Sequence, residues 1–243
     1  MQTSVHAPRA TGAWPARLDV AQSATGLCLA AFLVLHMAFV SSILISERAF
    51  YTVARFFEGR YLFGTAYPGI VSGVVAVVLA LFVVHAALAM RKLPHDYREL
   101  GIFRRHSARF RHGDTALWGW QAATGFALFF LGTIHLYGML THPALIGPYE
   151  SADRVWTGRM WPLYFVLLFV VELHGGLGLY RLALKWDWPR GVDRKRLRLM
   201  KTAFSVFFIT LGLVSLAAYV RLGVAHADHA GERWTPPAAT AVR

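Results

Sequence analysis

Apolar residues along this chain collect into five long runs, at about 20–45, 67–90, 116–140, 160–182 and 202–222, separated by polar connections. A helix that crosses the hydrocarbon core of a bilayer needs about 20 mainly apolar residues, and each run reaches that length. The strands of a membrane barrel are about half as long, and an open sheet leaves edges that lipid cannot satisfy. The pattern predicts an all-α, polytopic membrane protein with five transmembrane helices, organised as one domain over residues 1–243. Residues 1–19 hold Arg9, Pro15, Arg17 and Asp19 but no apolar core. The first run is too extended for a cleaved leader, so it is expected to remain as the first helix.

The connections carry signals of their own. In "SERAFYTVARFFEG", Phe50, Val53, Ala54 and Phe57 recur at helical spacing while Arg48, Arg55 and Glu58 supply polarity, which predicts an amphipathic helix lying on the surface of the bundle. The stretch "THPALIGPYESADRVWTGRMWPLY" brings Tyr149, Trp156, Trp161 and Tyr164 to the level of the membrane interface. The tail "HADHAGERWTPPAATAVR" reads as disordered beyond about 230, and no internal repeat stands out.

Charge fixes an expected orientation. A formal net charge of +12 suggests nucleic acid only until its distribution is seen. Seven Lys and Arg fall in 91–111, eight in 181–201 and two before the first helix, against three, two and three after the first, third and fifth. The excess of Lys and Arg on one side places the N-terminus and the 2–3 and 4–5 loops in the cytoplasm, and the C-terminus in the periplasm. The expected location is the cytoplasmic membrane. The basic face suits anionic lipid headgroups or an acidic partner subunit, not nucleic acid. A single cysteine, Cys28, excludes an internal disulfide and any multi-cysteine metal cluster within the chain.

Candidate chemistry lies inside the helices. His36, His85, His135 and His174 fall one each in the first four runs, in "LVLHMAF", "FVVHAAL", "LGTIHLYG" and "VELHGG". Ionisable groups at such depth are costly and mark function. At 1.5 Å per residue, His36 and His135 lie toward the outer ends of their helices, and His85 and His174 lie in the inner half. Two pairs follow, separated by roughly 15 Å across a core about 30 Å thick. Zinc usually takes four protein ligands, or three and a water, whereas two histidines from different helices match the two axial positions of a haem iron. The first four helices are therefore expected to form a dihaem-binding bundle. With both axial positions filled, the iron carries electrons rather than binding oxygen.

Gly125, Gly132 and Gly178 lie near these histidines, where a missing side chain either admits a flat macrocycle or lets two helices touch. Haem propionates need counter-charges or donors. Arg91, Lys92, Arg181 and Lys185 are placed for this inside, Gln22, Ser23 and Thr25 line the inner start of the first helix, and His112 and Trp120 are further candidates. Glu172 lies two residues before His174 and so points to another face. It is either a proton relay or a hydrogen-bonded structural carboxyl. Glu58 is close in depth to the outer pair, where it is either an acceptor of protons from an oxidised quinol or a solvated surface acid. His95, His106, His226 and His229 read as ordinary polar surface residues.

The motifs "QSATG", "HMAFVSSIL", "HAALAMRKLP", "RHGDTALW", "TGFALFFLGTIHLYGM", "IGP", "MWPLY" and "VELHGGLGLYRLALKW" occur in order over about residues 17–222. Together they resemble the dihaem cytochrome b membrane subunit of menaquinol:fumarate reductases of the Wolinella type, in the succinate dehydrogenase and fumarate reductase superfamily. The resemblance implies two haem b groups and menaquinol as substrate. It implies a flavoprotein partner and an iron–sulfur partner, which hold the FAD and the clusters, and the three-subunit complex can dimerise. It implies that His85 and His174 ligate the haem nearer the iron–sulfur partner, and His36 and His135 the distal one. It implies menaquinol oxidation at Glu58, proton movement at Glu172 and a propionate contact at Arg154. Electrons would pass from menaquinol to the partner that reduces fumarate to succinate, or the reverse. The competing class is a cytochrome b anchor of another respiratory complex, such as a hydrogenase or formate dehydrogenase. "VELHG" and Glu58 argue against it.

Overall fold

The computed structural model describes residues 12–94, 96–99, 101, 105 and 113–237, and of 113–116 only the main chain. His95, His106 and His112 lie outside the described residues. In chain order the elements are α1 (Trp14–Ser41), a 3-10 turn at Ser42–Leu44, α2 (Glu47–Phe57), α3 (Arg60–Phe63), α4 (Pro68–Met90), α5 (Gly113–Thr141), α6 (Pro148–Val155), α7 (Trp161–Trp186), α8 (Arg194–Ala225) and a 3-10 turn at Ala227–His229. Among the described residues five helices are long and apolar enough to cross a membrane: α1, α4, α5, α7 and α8. They coincide with the five apolar runs, because in lipid each backbone N–H must find its carbonyl within the same segment.

The helices overrun the apolar runs mainly at one end, where α1 begins at Trp14, α7 continues to Trp186 and α8 begins at Arg194. We call this the basic end. Intrahelical hydrogen bonding does not stop where apolarity stops, and each start has its own signal. Asp193 caps α8 by accepting from the Arg196 N–H at 2.8 Å. Prolines occupy the first turns of α1, α4, α6 and α7.

Around the bundle, α1 packs on α4, α4 on α5, α5 on α7, and α7 returns to α1. The fifth spanning helix, α8, lies outside this ring against α7 and α1. Short polar crossbars fix depth between neighbours. The Ser215 hydroxyl donates to the Ser41 hydroxyl at 2.9 Å, and the Tyr219 hydroxyl donates to the Val40 carbonyl at 2.9 Å. The Ser72 hydroxyl joins α4 to α5 by donating to the Leu140 carbonyl at 2.9 Å.

The far end is capped by α2, α6 and the tail. As its pattern predicts, α2 is amphipathic and turns Phe50 and Ala54 into a buried cluster with Ile43, Ile146, Ala152, Val155 and Tyr219. Ser46 starts that helix by accepting from the Ala49 N–H at 3.0 Å. Two expectations fail here. The chain beyond 230 is packed at least to Trp234, which is buried and donates from its indole nitrogen to Glu47 at 2.7 Å. His226 is not a surface residue: it is buried, with Nδ1 3.0 Å from Asp153 and its ring stacked on Tyr149 at 4.0 Å. His229 does stay exposed, 3.4 Å from Glu232.

Candidate functional site

The four intramembrane histidines come from the four helices of the ring and meet in two pairs. The rings of His36 on α1 and His135 on α5 have centroids 5.9 Å apart. Those of His85 on α4 and His174 on α7 are 6.4 Å apart. Metal–imidazole bonds are about 2 Å long, so two rings facing one iron from opposite sides have centroids about 6 Å apart. Among the described residues no three His, Cys, Asp or Glu side chains converge on a common point. Each pair thus offers two nitrogen donors and no more, the donor set of a bis-histidine haem rather than of a zinc cage.

The His85–His174 pair, toward the basic end, is held by the two other helices. His85 Nδ1 is 3.1 Å from the Thr25 hydroxyl on α1, and His174 Nδ1 is 3.3 Å from the Thr124 hydroxyl on α5 and 3.1 Å from the Gln121 carbonyl. A Cβ added at Gly26 would lie 2.9 Å from His85 Cε1, and one at Gly125 would lie 2.9 Å from His174 Cε1. The two glycines clear the seats on which these rings lie. Gly132 and Gly178 clear other neighbours, since a Cβ there would meet Phe82 at 3.7 Å and the Gln121 side-chain nitrogen at 3.1 Å respectively. At the His36–His135 pair, Phe32 stacks on His36 at 5.7 Å and Tyr164 meets His135 edge-on at 5.5 Å. The buried Nδ1 of His135 has no partner among the described residues.

The basic end carries a polar rim. Arg91 and Lys92 each reach Asp19 at 2.8 Å, and Lys185 reaches it at 3.6 Å. Lys185 and Trp186 donate to the Ser23 hydroxyl at 3.3 and 3.2 Å. Arg181 donates to the Gln121 side-chain oxygen at 2.8 Å. The Gln22 side-chain oxygen is buried without a partner. The carboxylate of Asp19 therefore occupies three of the four cations that the sequence assigns to propionates, and Gln121 holds the fourth, Arg181. Trp120 is exposed, and its carbonyl accepts from the Thr124 hydroxyl at 2.8 Å.

At the far end Glu58 is fully buried and paired with Arg55, which excludes the solvated surface acid. Arg55 is held in turn by the Ile146 carbonyl at 3.2 Å. The chain reverses immediately after Glu58 through Gly59, whose φ of 77° favours glycine. The Tyr67 N–H then donates back to the Glu58 carbonyl at 2.8 Å. One carboxyl oxygen of Glu58 has no partner among the described residues. Burial pushes this carboxyl above the usual glutamate range, against the pull of Arg55. Arg154 on α6 donates to the Leu145 carbonyl at 2.9 Å and the Ser151 hydroxyl at 3.2 Å, and its Nε is buried without a partner.

Glu172 faces away from the histidine pair. Its carboxyl is buried against a cavity of about 20 Å³ between α1, α7 and α8, lined by Leu33, Met37, Leu168, Gly176 and Phe208 among others. That is room for about one water. One oxygen of Glu172 has no partner among the described residues. A Cβ at Gly176 would touch it at 3.0 Å and the Ser205 hydroxyl at 3.3 Å, so Gly176 keeps open the gap between them.

Reading the sequence missed Gln121, Thr124 and Gly26. A signal was there: "QSATG" at 22–26 and "QAATG" at 121–125 are near-copies on α1 and α5.

Comparison with known proteins supplies the remaining context. Residues 102–217 match the family described as succinate dehydrogenase/fumarate reductase transmembrane subunit. The chain is 53% identical over 214 residues to the fumarate reductase cytochrome b subunit of Helicobacter pylori strain J99, covering 88% of this chain and 84% of that protein. It is 50% identical over 218 residues to the protein of the same name from Wolinella succinogenes, covering 88% and 85%.

Proposed function

The chain belongs to the family of fumarate reductase cytochrome b subunits, and on that premise we propose that its two histidine pairs each hold one haem b and that menaquinol is oxidised beside Glu58. It is an electron-transfer membrane subunit of a quinol:fumarate oxidoreductase-type complex. The observation that carries the proposal is the meeting of four histidines, one from each helix of a closed ring, in two pairs at centroid distances of 5.9 and 6.4 Å.

Bound between these rings, the haems supply reversible one-electron transfer along the bundle. The chain's own residues do the rest. His36 with His135, and His85 with His174, would each hold one haem through their ring nitrogens, and Gly26 and Gly125 keep their helices clear of the His85 and His174 rings. Glu58 takes a proton from the quinol hydroxyl at its unpartnered oxygen, while Arg55 holds the other oxygen in place. Glu172, beside a space the size of one water, holds a proton within the membrane. Arg154 with its free Nε serves the propionates of the far haem. Gln22, Ser23, Lys185 and Trp186 serve those of the near one, with Arg91, Lys92 and Arg181 in reserve behind Asp19 and Gln121. The sum of lysine and arginine at the basic end supports a cytoplasmic N-terminus, with the flavoprotein and iron–sulfur partners docking there and fumarate reduced to succinate on the flavoprotein, or the circuit reversed.

The test is a reduced-minus-oxidised spectrum with haem quantification on the purified full chain. Two b-type haems are expected. Replacing His36 or His135 by alanine removes one signature, and replacing His85 or His174 removes the other. One haem, or haem indifferent to these substitutions, overturns the proposal.

A further inference from the structure

The near-copies on α1 and α5 extend beyond the two pentapeptides. Gln22, Thr25 and Gly26 are followed by His36, and Gln121, Thr124 and Gly125 by His135, at identical spacing. From threonine to histidine is eleven residues in both helices, three turns, so the two side chains share one face. Each of these helices therefore contributes its own histidine to the far pair. Some 16 Å along the same stripe, it offers a threonine to a histidine of the near pair that belongs to a neighbouring helix. The ring order α1, α4, α5, α7 makes the arrangement two-fold: α1 holds His85 of α4 as α5 holds His174 of α7.

The hydrogen bonds of the threonines determine a proton position. The Thr25 hydroxyl donates its one hydrogen along its own helix, to the Ala21 carbonyl at 2.9 Å, with the Gln22 carbonyl at 3.1 Å. The Thr124 hydroxyl does the same toward the Trp120 carbonyl at 2.8 Å and the Gln121 carbonyl at 3.2 Å. A hydroxyl that has spent its hydrogen presents only lone pairs to a third group. His85 Nδ1, at 3.1 Å, must then be the donor. His174 Nδ1 faces two acceptors, the Thr124 hydroxyl at 3.3 Å and the Gln121 carbonyl at 3.1 Å, and must be a donor too. In a neutral imidazole a proton on Nδ1 leaves the lone pair on Nε2. Gly26 and Gly125, lacking a Cβ, let the rings come close to the helices that bear those acceptors.

We infer that Thr25 and Thr124 are a duplicated pair of positioning residues, which fix His85 and His174 as Nδ1–H tautomers with Nε2 turned to the group between them. This rests on the haem reading of the pair. A donated Nδ1–H also makes an imidazole more basic and a better ligand for the oxidised iron. Among the described residues the far pair has no such support at His135, whose Nδ1 finds no partner there, so the two centres are unequally held.

The experiment is a potentiometric titration, with low-temperature electron paramagnetic resonance of the oxidised haems, on the full chain in its native membrane. The chains compared are the unsubstituted one, T25V, T124V, the double variant, and T25S with T124S. Removing the hydroxyls raises the midpoint potential of the haem that depends on His85 and His174, and shifts its resonance as the rings rotate. The other haem keeps both properties, and the serine variants behave as the unsubstituted chain. Loss of the His85–His174 haem alone in the valine variants, with serine restoring it, is the same result in stronger form. An unmoved potential and resonance in the double variant overturns the inference, as does an equal shift or loss of both haems. Failure of the haem reading itself appears earlier, as absence of two histidine-dependent haems in the unsubstituted chain.

Discussion

Arg55 and Glu58, one turn apart at the end of α2, form an ion pair that the surrounding fold removes from water: Glu58 is fully buried, and the Ile146 carbonyl at 3.2 Å holds the guanidinium from across the cap. A carboxylate held on one oxygen and unpartnered on the other among the described residues suits the proton acceptor we propose.

Replacing Glu58 by glutamine keeps the volume and removes the acceptor. Quinol oxidation is expected to fall about a hundredfold or more, with both haems retained. Quinol-driven fumarate reduction and the haem spectrum, measured on the same preparation, check this. Undiminished turnover would return Glu58 to a structural role.

The same carboxyl predicts a pH dependence. Burial holds its proton affinity above the usual glutamate range. The basic form that takes a proton is therefore lost at a higher pH than for an ordinary glutamate, and quinol oxidation declines on acidification through that raised value. Removing the Arg55 charge by R55Q removes the opposing pull and moves the acid limb of the profile upward. For stability the sign is opposite. Between the ordinary and the raised value the folded chain holds a proton that the unfolded chain has released, so this group's contribution to stability falls as pH rises through that window.

Gly26 and Gly125 give a steric prediction. A Cβ at either lies 2.9 Å from an imidazole carbon, a distance that requires the ring or a helix to move. G26A and G125A are each expected to lose or displace the haem of the His85–His174 pair while keeping the other. By contrast, G132A meets Phe82 only at 3.7 Å and is expected to keep both. Haem stoichiometry in the three variants checks the contrast.

Glu172 is expected to act through its proton, not its shape. E172Q preserves volume and an acceptor oxygen beside the cavity of about 20 Å³, but it cannot release a proton. Haem content and ligation stay unchanged, while quinol:fumarate turnover drops about tenfold or more. E172D, which keeps the acid, recovers part of it. Equal turnover in E172Q and the unsubstituted chain would make Glu172 a hydrogen-bonded packing group.

How far the sequence announces this structure depends on the range over which each feature is encoded. The spanning helices are legible because lipid imposes one solution on an apolar run, and His36, His85, His135 and His174 are legible because few polar residues are tolerated there. Helix depth alone pairs them as the structure does. The support is harder to read. Thr25 and Gly26 are ordinary helix residues until His85 arrives from another helix, and the copy on α5 is masked by differing apolar residues around it. The burial of Glu58 depends on a reversal at Gly59 and a carbonyl contributed by the 145–147 loop, neither of which is visible in a local pattern. Asp19, which ties up Arg91 and Lys92, is separated from them by the whole first hairpin.

The packed tail makes a last prediction, because it reaches the same site from outside. Trp234 is buried against Tyr51 at 4.9 Å between ring centroids, Tyr51 lies beneath the Arg55 guanidinium at 5.0 Å, and Arg233 is close enough to draw on the Glu58 charge. Asp153 anchors the segment twice, at His226 Nδ1 at 3.0 Å and by accepting from the Gly231 N–H at 2.8 Å. W234A removes an aromatic anchor and the indole donor to Glu47, a change worth about 3 kcal/mol in a packed core, and D153A frees both ends of the strap. Both variants are expected to become sensitive to protease after residue 226 and to raise KM for quinol several-fold, with haem content intact. The coupling runs through Tyr51 and Arg55, so Y51F, which keeps the ring, should leave KM unchanged while Y51A reproduces W234A. If the tail is cut readily but KM does not move in any of them, the strap holds the cap together and has no part in seating the quinol.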